Sequence, residues 1–131
     1  MTEVTPEVLV TIAKAREIPL VVVSGSLRIN MYNAPKSEYT FLTEFRPHRN
    51  WNQYGKLLKW LHEQDLTVIT QRGRQGRYKC HLKITDHMAT YSYDGYAQTL
   101  MEAVVLATYN YIRGSFGRSV ENANTKDETV Q

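Results

Sequence analysis

An α+β fold is predicted: an antiparallel sheet with helices on one face, built on an α-β-β-β-α core over residues 50–114 and preceded by an extra helix and strands. Three observations predict it. Asn50-Trp51-Asn52-Gln53 and Thr99-Leu100-Met101-Glu102 each place Gln or Glu three residues after a polar cap, the capping-box form of a helix N-terminus. Between them, Tyr78, Cys80, Leu82 and Ile84 alternate with Lys79, His81 and Lys83, as in a strand with one face in a core and one in water. Two polar breaks, at residues 72–77 and 85–87, separate that strand from its neighbours.

The elements follow in chain order. Thr5-Pro6-Glu7 opens a helix, because Pro suits the first helical position and Glu suits the positive end of the helix dipole. Val8, Leu9, Ile12 and Ala13 line one side, and the helix ends near Arg16, before Pro19. Residues 20–24 form a β-branched strand, and Leu27, Ile29 and Met31 alternate with Arg28 and Asn30 in a second. Ser24-Gly25-Ser26 joins the two as a tight hairpin. After an Asn33-Ala34-Pro35-Lys36 loop, a third strand is expected over 39–45, with Tyr39, Phe41, Thr43 and Phe45 on one face.

The core module then begins. Trp51, Tyr54, Leu57, Leu58 and Leu61 make one stripe of a helix over 51–64. Gly55, costly inside a helix, reads as the mark of a close helix-to-sheet approach. Residues 66–71 form a strand, Arg72-Gly73-Arg74-Gln75-Gly76-Arg77 a basic hairpin tip, and 78–84 the next strand. The chain turns at Thr85-Asp86-His87 and returns over 88–93, with Asp94-Gly95 ending that strand. A last helix buries Leu100, Ala103, Val104, Ala107 and Tyr111, and Gly114 suits its C-terminal cap. Residues 115–131 lack an apolar pattern and read as a disordered tail.

At 131 residues and 42% apolar, residues 1–114 are expected to be one domain, with 1–46 an N-terminal extension of the 50–114 module. The extension packs either on its own chain or on a neighbour's, and its extra strands, with their exposed edges, favour a homo-oligomer. A single cysteine excludes an internal disulfide. Residues 1–25 start with acidic residues and lack the basic n-region of a signal peptide, and the longest apolar run, 18–23, is far too short to span a bilayer. A soluble, cytoplasmic protein is expected. A net charge of +3 is mildly basic, below that of a dedicated DNA-binding domain.

Catalytic chemistry finds little support. Cys80 shares a face with Tyr78 and Leu82, whereas a reactive thiolate needs a polar, partly exposed setting. His81 points the opposite way. His81, Asp86 and His87 match no metal-site spacing, and the basic tip lacks the Gly-Lys-Ser/Thr ending of a phosphate loop. No catalytic residue, metal or cofactor is therefore assigned. A nucleotide hydrolase assembled from residues distant in sequence stays a minor alternative.

The basic hairpin is the most pointed feature. Arg72, Arg74, Arg77, Lys79 and Lys83 lie within twelve residues and without an acid among them. Guanidinium groups and glycine-freed amides suit an anion, and Tyr91, Tyr93, Tyr96 or Trp51 supply rings that stack on a base. The plain alternative is a solvated hairpin kept soluble by its charges. A protein interface is the third reading, since Tyr and Arg are enriched at hot spots.

Two resemblances add to this. The helix–three strands–helix order with a basic first hairpin resembles the double-stranded RNA-binding domain. That likeness implies RNA contacts from Gln53, Lys56 and Lys59 and from residues 72–77. Gln98-Thr99-Leu100-Met101-Glu102 offers no lysine where that family clamps phosphates. The second rests on Phe45-Arg46-Pro47-His48-Arg49-Asn50-Trp51-Asn52 and on Asp94-Gly95-Tyr96-Ala97-Gln98-Thr99-Leu100-Met101-Glu102-Ala103-Val104. Both stretches resemble the phage ABA-sandwich family of small accessory proteins. This likeness implies a phage protein acting in the host bacterial cytoplasm. Joined to the basic hairpin, it leads to an expected function: a non-enzymatic binding protein that counters bacterial defence by sequestering an anionic nucleotide signal. Arg72, Arg74, Arg77 and Lys79 would meet phosphate, and Tyr91, Tyr93 or Trp51 would stack. Inhibition of a host or defence protein and RNA binding are the alternatives.

Overall fold

The computed structural model describes residues 3–114 other than 87 and 88, with the backbone alone at 85 and 86. Within these bounds the fold is α+β. In chain order come helix α1 (Pro6–Ala15), strands β1 (Leu20–Val23) and β2 (Ser26–Ile29), and a 3-10 segment (Lys36–Phe41). Helix α2 (Trp51–Glu63), strand β3 (Thr67–Arg72), a short 3-10 turn (Arg74–Gly76), strands β4 (Tyr78–Asp86) and β5 (Ala89–Ala97), and helix α3 (Leu100–Gly114) complete it. The tail expected over 115–131 and the His87 position of the expected 85–87 turn lie outside the described residues, whereas Thr85 and Asp86 do not turn but continue β4, paired with Thr90 and Ala89.

β3, β4 and β5 form an antiparallel meander in that order. Period-two alternation sends Tyr78, Cys80 and Leu82 of β4, with Tyr93 and Gly95 across from them on β5, to one face. That face carries α3. The closest approach is at Gly95, where a Cβ would lie 2.3 Å from the Ala103 carbonyl oxygen and 2.4 Å from the Ala107 nitrogen. Asp94-Gly95 therefore does not end the strand, as expected from sequence; β5 runs on to Ala97, and the glycine is there for contact with the helix.

α3 is buried over most of its circumference, from Met101 through Tyr109 to Ile112, because the sheet lies on one side and α1 on another. The Tyr109 hydroxyl donates to Glu7 Oε2 at 3.1 Å, tying α3 to α1. Leu57 and Leu61 bring α2 into the same buried cluster, and Trp60 meets Tyr111 edge-on at 6.2 Å. Val8, Ile12, Phe45, Leu82 and Leu106 belong to that cluster too, so residues of the N-terminal extension share the core of the α-β-β-β-α module.

The N-caps form as their chemistry requires, but neither capping box closes: the Glu102 carboxylate lies 3.9 Å from Arg49 and makes no bond back to Thr99. Val8, Gln53 and Glu102 N–H groups donate to Thr5 Oγ1, Asn50 Oδ1 and Thr99 Oγ1. The Gln53 side chain, however, does not return to Asn50. It is buried, accepts from the Arg46 N–H and donates to the Glu44 carbonyl at 2.7 Å. The amide thus pins the incoming segment to α2.

The N-terminal strands do not extend the main sheet. β1 and β2 form a separate ribbon, closed by Ser24 (φ 50°) and Gly25 (φ 79°), a two-residue turn with both φ positive. The strand expected over 39–45 is absent. Residues 36–41 form the 3-10 segment, Phe41 is 86% exposed, and one bridge, Arg28 to Glu44, remains of the pairing. The Arg28 guanidinium, more than ten residues earlier in the chain, takes the Thr40 and Leu42 carbonyls, which a strand would have offered to a neighbour. Gly55 also departs from expectation. It is exposed, with open space where a Cβ would stand, and marks no helix-to-sheet contact.

Among the described residues, no helix is long and apolar enough to cross a membrane.

Candidate binding face of the main sheet

The alternate residues of β4 and β5 point away from α3. Register sets Lys79 opposite Tyr96, His81 opposite Asp94, and Lys83 opposite Ser92. Gln71, Ile69 and Thr67 of β3 continue the three rows. Lys79, Lys83, Ser92 and Tyr96 are exposed there, while His81 and Asp94 are half-buried.

Short contacts organise this face. The Lys79 ammonium lies 5.8 Å from the centre of the Tyr96 ring, within cation–π range. His81 Nδ1 is 2.6 Å from Asp94 Oδ1. A carboxylate only accepts, so Nδ1 donates and Nε2 is the acceptor of the neutral ring. Ser92 Oγ donates to the same oxygen at 3.0 Å, and Asn110 of α3 donates to the Asp94 backbone carbonyl at 2.6 Å. Serine and histidine therefore share the carboxylate instead of bonding each other. That arrangement orients an imidazole but activates no serine nucleophile. Burial, reinforced by the Asp94 charge, raises the Tyr96 phenol above its ordinary range, so the ring is neutral at physiological pH.

The basic hairpin stands at the Lys79–Tyr96 end. Arg72 forms the last rung with Tyr78, Gly73 N–H donates to the Arg77 carbonyl at 2.6 Å, and Gln75 (φ 63°) and Gly76 (φ 72°) turn the tip. Arg72, Arg74 and Arg77 are exposed and make no ion pair with a described residue. The Lys79 stem leans toward Gly73, its Cε 3.7 Å from where a Cβ would sit there.

The residues predicted to act together are therefore divided. Lys79 and the three arginines share one end of the sheet, but Arg72, in the row of Tyr78, lies on the opposite face from Lys79. Tyr91 and Tyr93 occupy the opposite face from Lys79, and Tyr93 packs edge-on against Tyr111 at 5.3 Å. Trp51 opens α2, 70% exposed and edge-on to Tyr54 at 5.6 Å. The ring that stands beside the cations is Tyr96. Sequence reasoning passed over the His81–Asp94–Ser92 set, although a two-residue turn at 87–88 would have paired 86 with 89 and hence 81 with 94.

Cys80 is fully buried among Tyr78, Leu82 and the helices. Burial first, and the Asp94 charge second, push its thiol up to about 12, so it holds its proton at neutral pH. Among the described residues no group of three metal-ligating side chains converges.

Comparison with family models, with curated proteins and with solved structures finds no match to this chain.

Proposed function

We propose that the chain is a non-enzymatic binding protein that takes an anionic nucleotide on the outer face of its main sheet, at the hairpin end. The base stacks on Tyr96, Lys79 and the Arg74–Arg77 tip meet phosphate, and His81 Nε2 accepts from a sugar hydroxyl or base edge. The observation that carries this reading is the Lys79–Tyr96 pair at the hairpin end of the sheet, where Arg74 and Arg77 form no ion pair with a described residue. A ring with a cation at its edge is a sequence-tolerant platform for a base and its phosphate. In the setting that the phage ABA-sandwich resemblance implies, the ligand is a nucleotide signal of bacterial defence. Holding it out of solution would be the biological effect.

Calorimetric titration with cyclic mono- and dinucleotides and ADP-ribose derivatives tests the reading. A saturable heat with at least one of them is expected, weakened by roughly 5- to 150-fold in Tyr96→Ala, the worth of one stacked base. The recovered ligand should be chemically unchanged; turnover would make the face an active site. A flat response across the panel removes the proposal. Affinity for a single nucleic-acid strand that collapses with added salt would identify the polymer as ligand instead.

A second reading has its own support. Met31, Tyr32 and Phe41 are exposed around a groove of about 400 Å³ that Asn52 and Lys56 also line, and exposed Trp51 is Asn52's neighbour in α2. Aromatic and methionine side chains of this kind suit inhibition of a host or defence protein through contact. A stoichiometric protein retained from bacterial lysate, and released by Phe41→Ser with Trp51→Ser, is the expected result for that reading.

A further inference from the structure

The ribbon of β1 and β2 has one covered edge and one bare edge. Ile29 N–H donates to the Thr43 carbonyl and Phe45 N–H to the Leu27 carbonyl, so Leu27 and Ile29 address the 43–45 segment. Ser26, Arg28 and Asn30 then address β1, as Asn30 N–H shows by donating to the Pro19 carbonyl at 2.9 Å. Val21 and Val23, paired with Arg28 and Ser26, point back at β2. By alternation, the N–H and C=O groups of Leu20 and Val22 point to the far edge. No described residue outside the strand gives either a backbone hydrogen bond.

That edge is short, but nothing on it blocks pairing. Leu20-Val21-Val22-Val23 has no charge, no proline and no bulge, and Val22 is 64% exposed. We propose that β1 pairs antiparallel with β1 of a second copy of this chain, about a two-fold axis passing beside Val21.

The strand is self-complementary in that register. Leu20 stands opposite Val22 of the second copy, and Val22 opposite its Leu20. Each of these two pairs exchanges both backbone hydrogen bonds, four in all, using the groups that the bare edge presents. Val22 is then covered by a leucine, and Val21 meets Val21 across the axis in a closely spaced pair. The two ribbons become one four-stranded sheet, with closed two-fold symmetry and no further open β1 edge. A strand from an unrelated protein could use the same backbone groups, but it would not bring the reciprocal leucine–valine cover.

Sedimentation velocity over a range of concentrations tests the dimer, together with cysteine crosslinking. The whole chain should pass from monomer to dimer, and Val22→Lys, at an exposed site, should weaken self-association roughly tenfold or more. Val21→Cys should crosslink to a covalent dimer under mild oxidation, because directly opposed residues lie about 4.5 Å apart at Cα, within disulfide reach. Val22→Cys should not, since the two copies of residue 22 would be roughly 9 Å apart by strand geometry. Cys80 is fully buried and should not contribute. The crosslinking pair keeps the test independent of how Val22→Lys folds. A wild-type chain that sediments as monomer at every concentration overturns the proposal. So does equal crosslinking of the two cysteine variants, or a dimer that folded Val22→Lys leaves intact.

Discussion

Asp94 is the residue on which the outer face turns. Its carboxylate holds His81 and Ser92, its backbone carbonyl holds Asn110, and its charge reaches Tyr96 and Cys80. Asp94→Ala should leave His81 free to rotate and its Nδ1 open to solvent, visible as a changed imidazole tautomer signal by nitrogen NMR. Cys80 offers a second test at this scale. Its thiol is raised from 9.0 to about 12 on folding, so the unfolded chain loses the proton first as pH rises. The stability that this burial contributes is whole below pH 9 and is lost between 9 and 12, at about 1.4 kcal/mol per pH unit. The wild type should therefore lose stability faster than Cys80→Ala across that window, measured by urea unfolding. Parallel pH profiles would contradict the assignment.

At the scale of elements, the contacts between them are the sensitive points. Gly95→Ala would drive a methyl into the backbone of α3 at Ala103 and Ala107. A loss of about 1–3 kcal/mol is expected, read as a lowered thermal midpoint, since backbone on both sides leaves little room to repack. Gln53→Ala removes the bonds to the part-buried Arg46 N–H and Glu44 carbonyl, at a cost of about 1–2 kcal/mol for the two hydrogen bonds lost. Gly55→Ala should instead stabilise α2 by up to about 1 kcal/mol, because its surroundings are open. These elements also show what a sequence can carry. Caps at Thr5, Asn50 and Thr99 and the alternation around Cys80 were readable, because each depends on neighbours a few residues away. The segment 39–45 was not: its alternation said strand, but a guanidinium eleven or more residues earlier claims its carbonyls. Gly95 was read as a strand end for the same reason, since the helix that needs its missing side chain comes later in the chain.

On the whole molecule, the same division explains the site. The cations of the basic hairpin were legible as a run, and they stay together at one end of the sheet. The aromatic partner was not legible, because Tyr91, Tyr93 and Tyr96 differ in facing by the parity of β5, and register with β4 is a tertiary fact. The helices claim Tyr93 and leave Tyr96 beside Lys79. The apolar surface at Met31, Tyr32 and Phe41 and the cationic face of the sheet are built from different elements, so substitutions at each should act independently.

The central claim is that the face bearing Lys79, His81 and Tyr96 takes a nucleotide anion. Side-chain NMR during titration with a nucleotide that gives heat in calorimetry tests it most directly. The account predicts that the Tyr96 ring and His81 imidazole resonances shift together with saturation, while the Tyr93 ring, packed on Tyr111, stays where it was. Shifts centred on Trp51 and Phe41, or on Tyr93, with Tyr96 unmoved would contradict it.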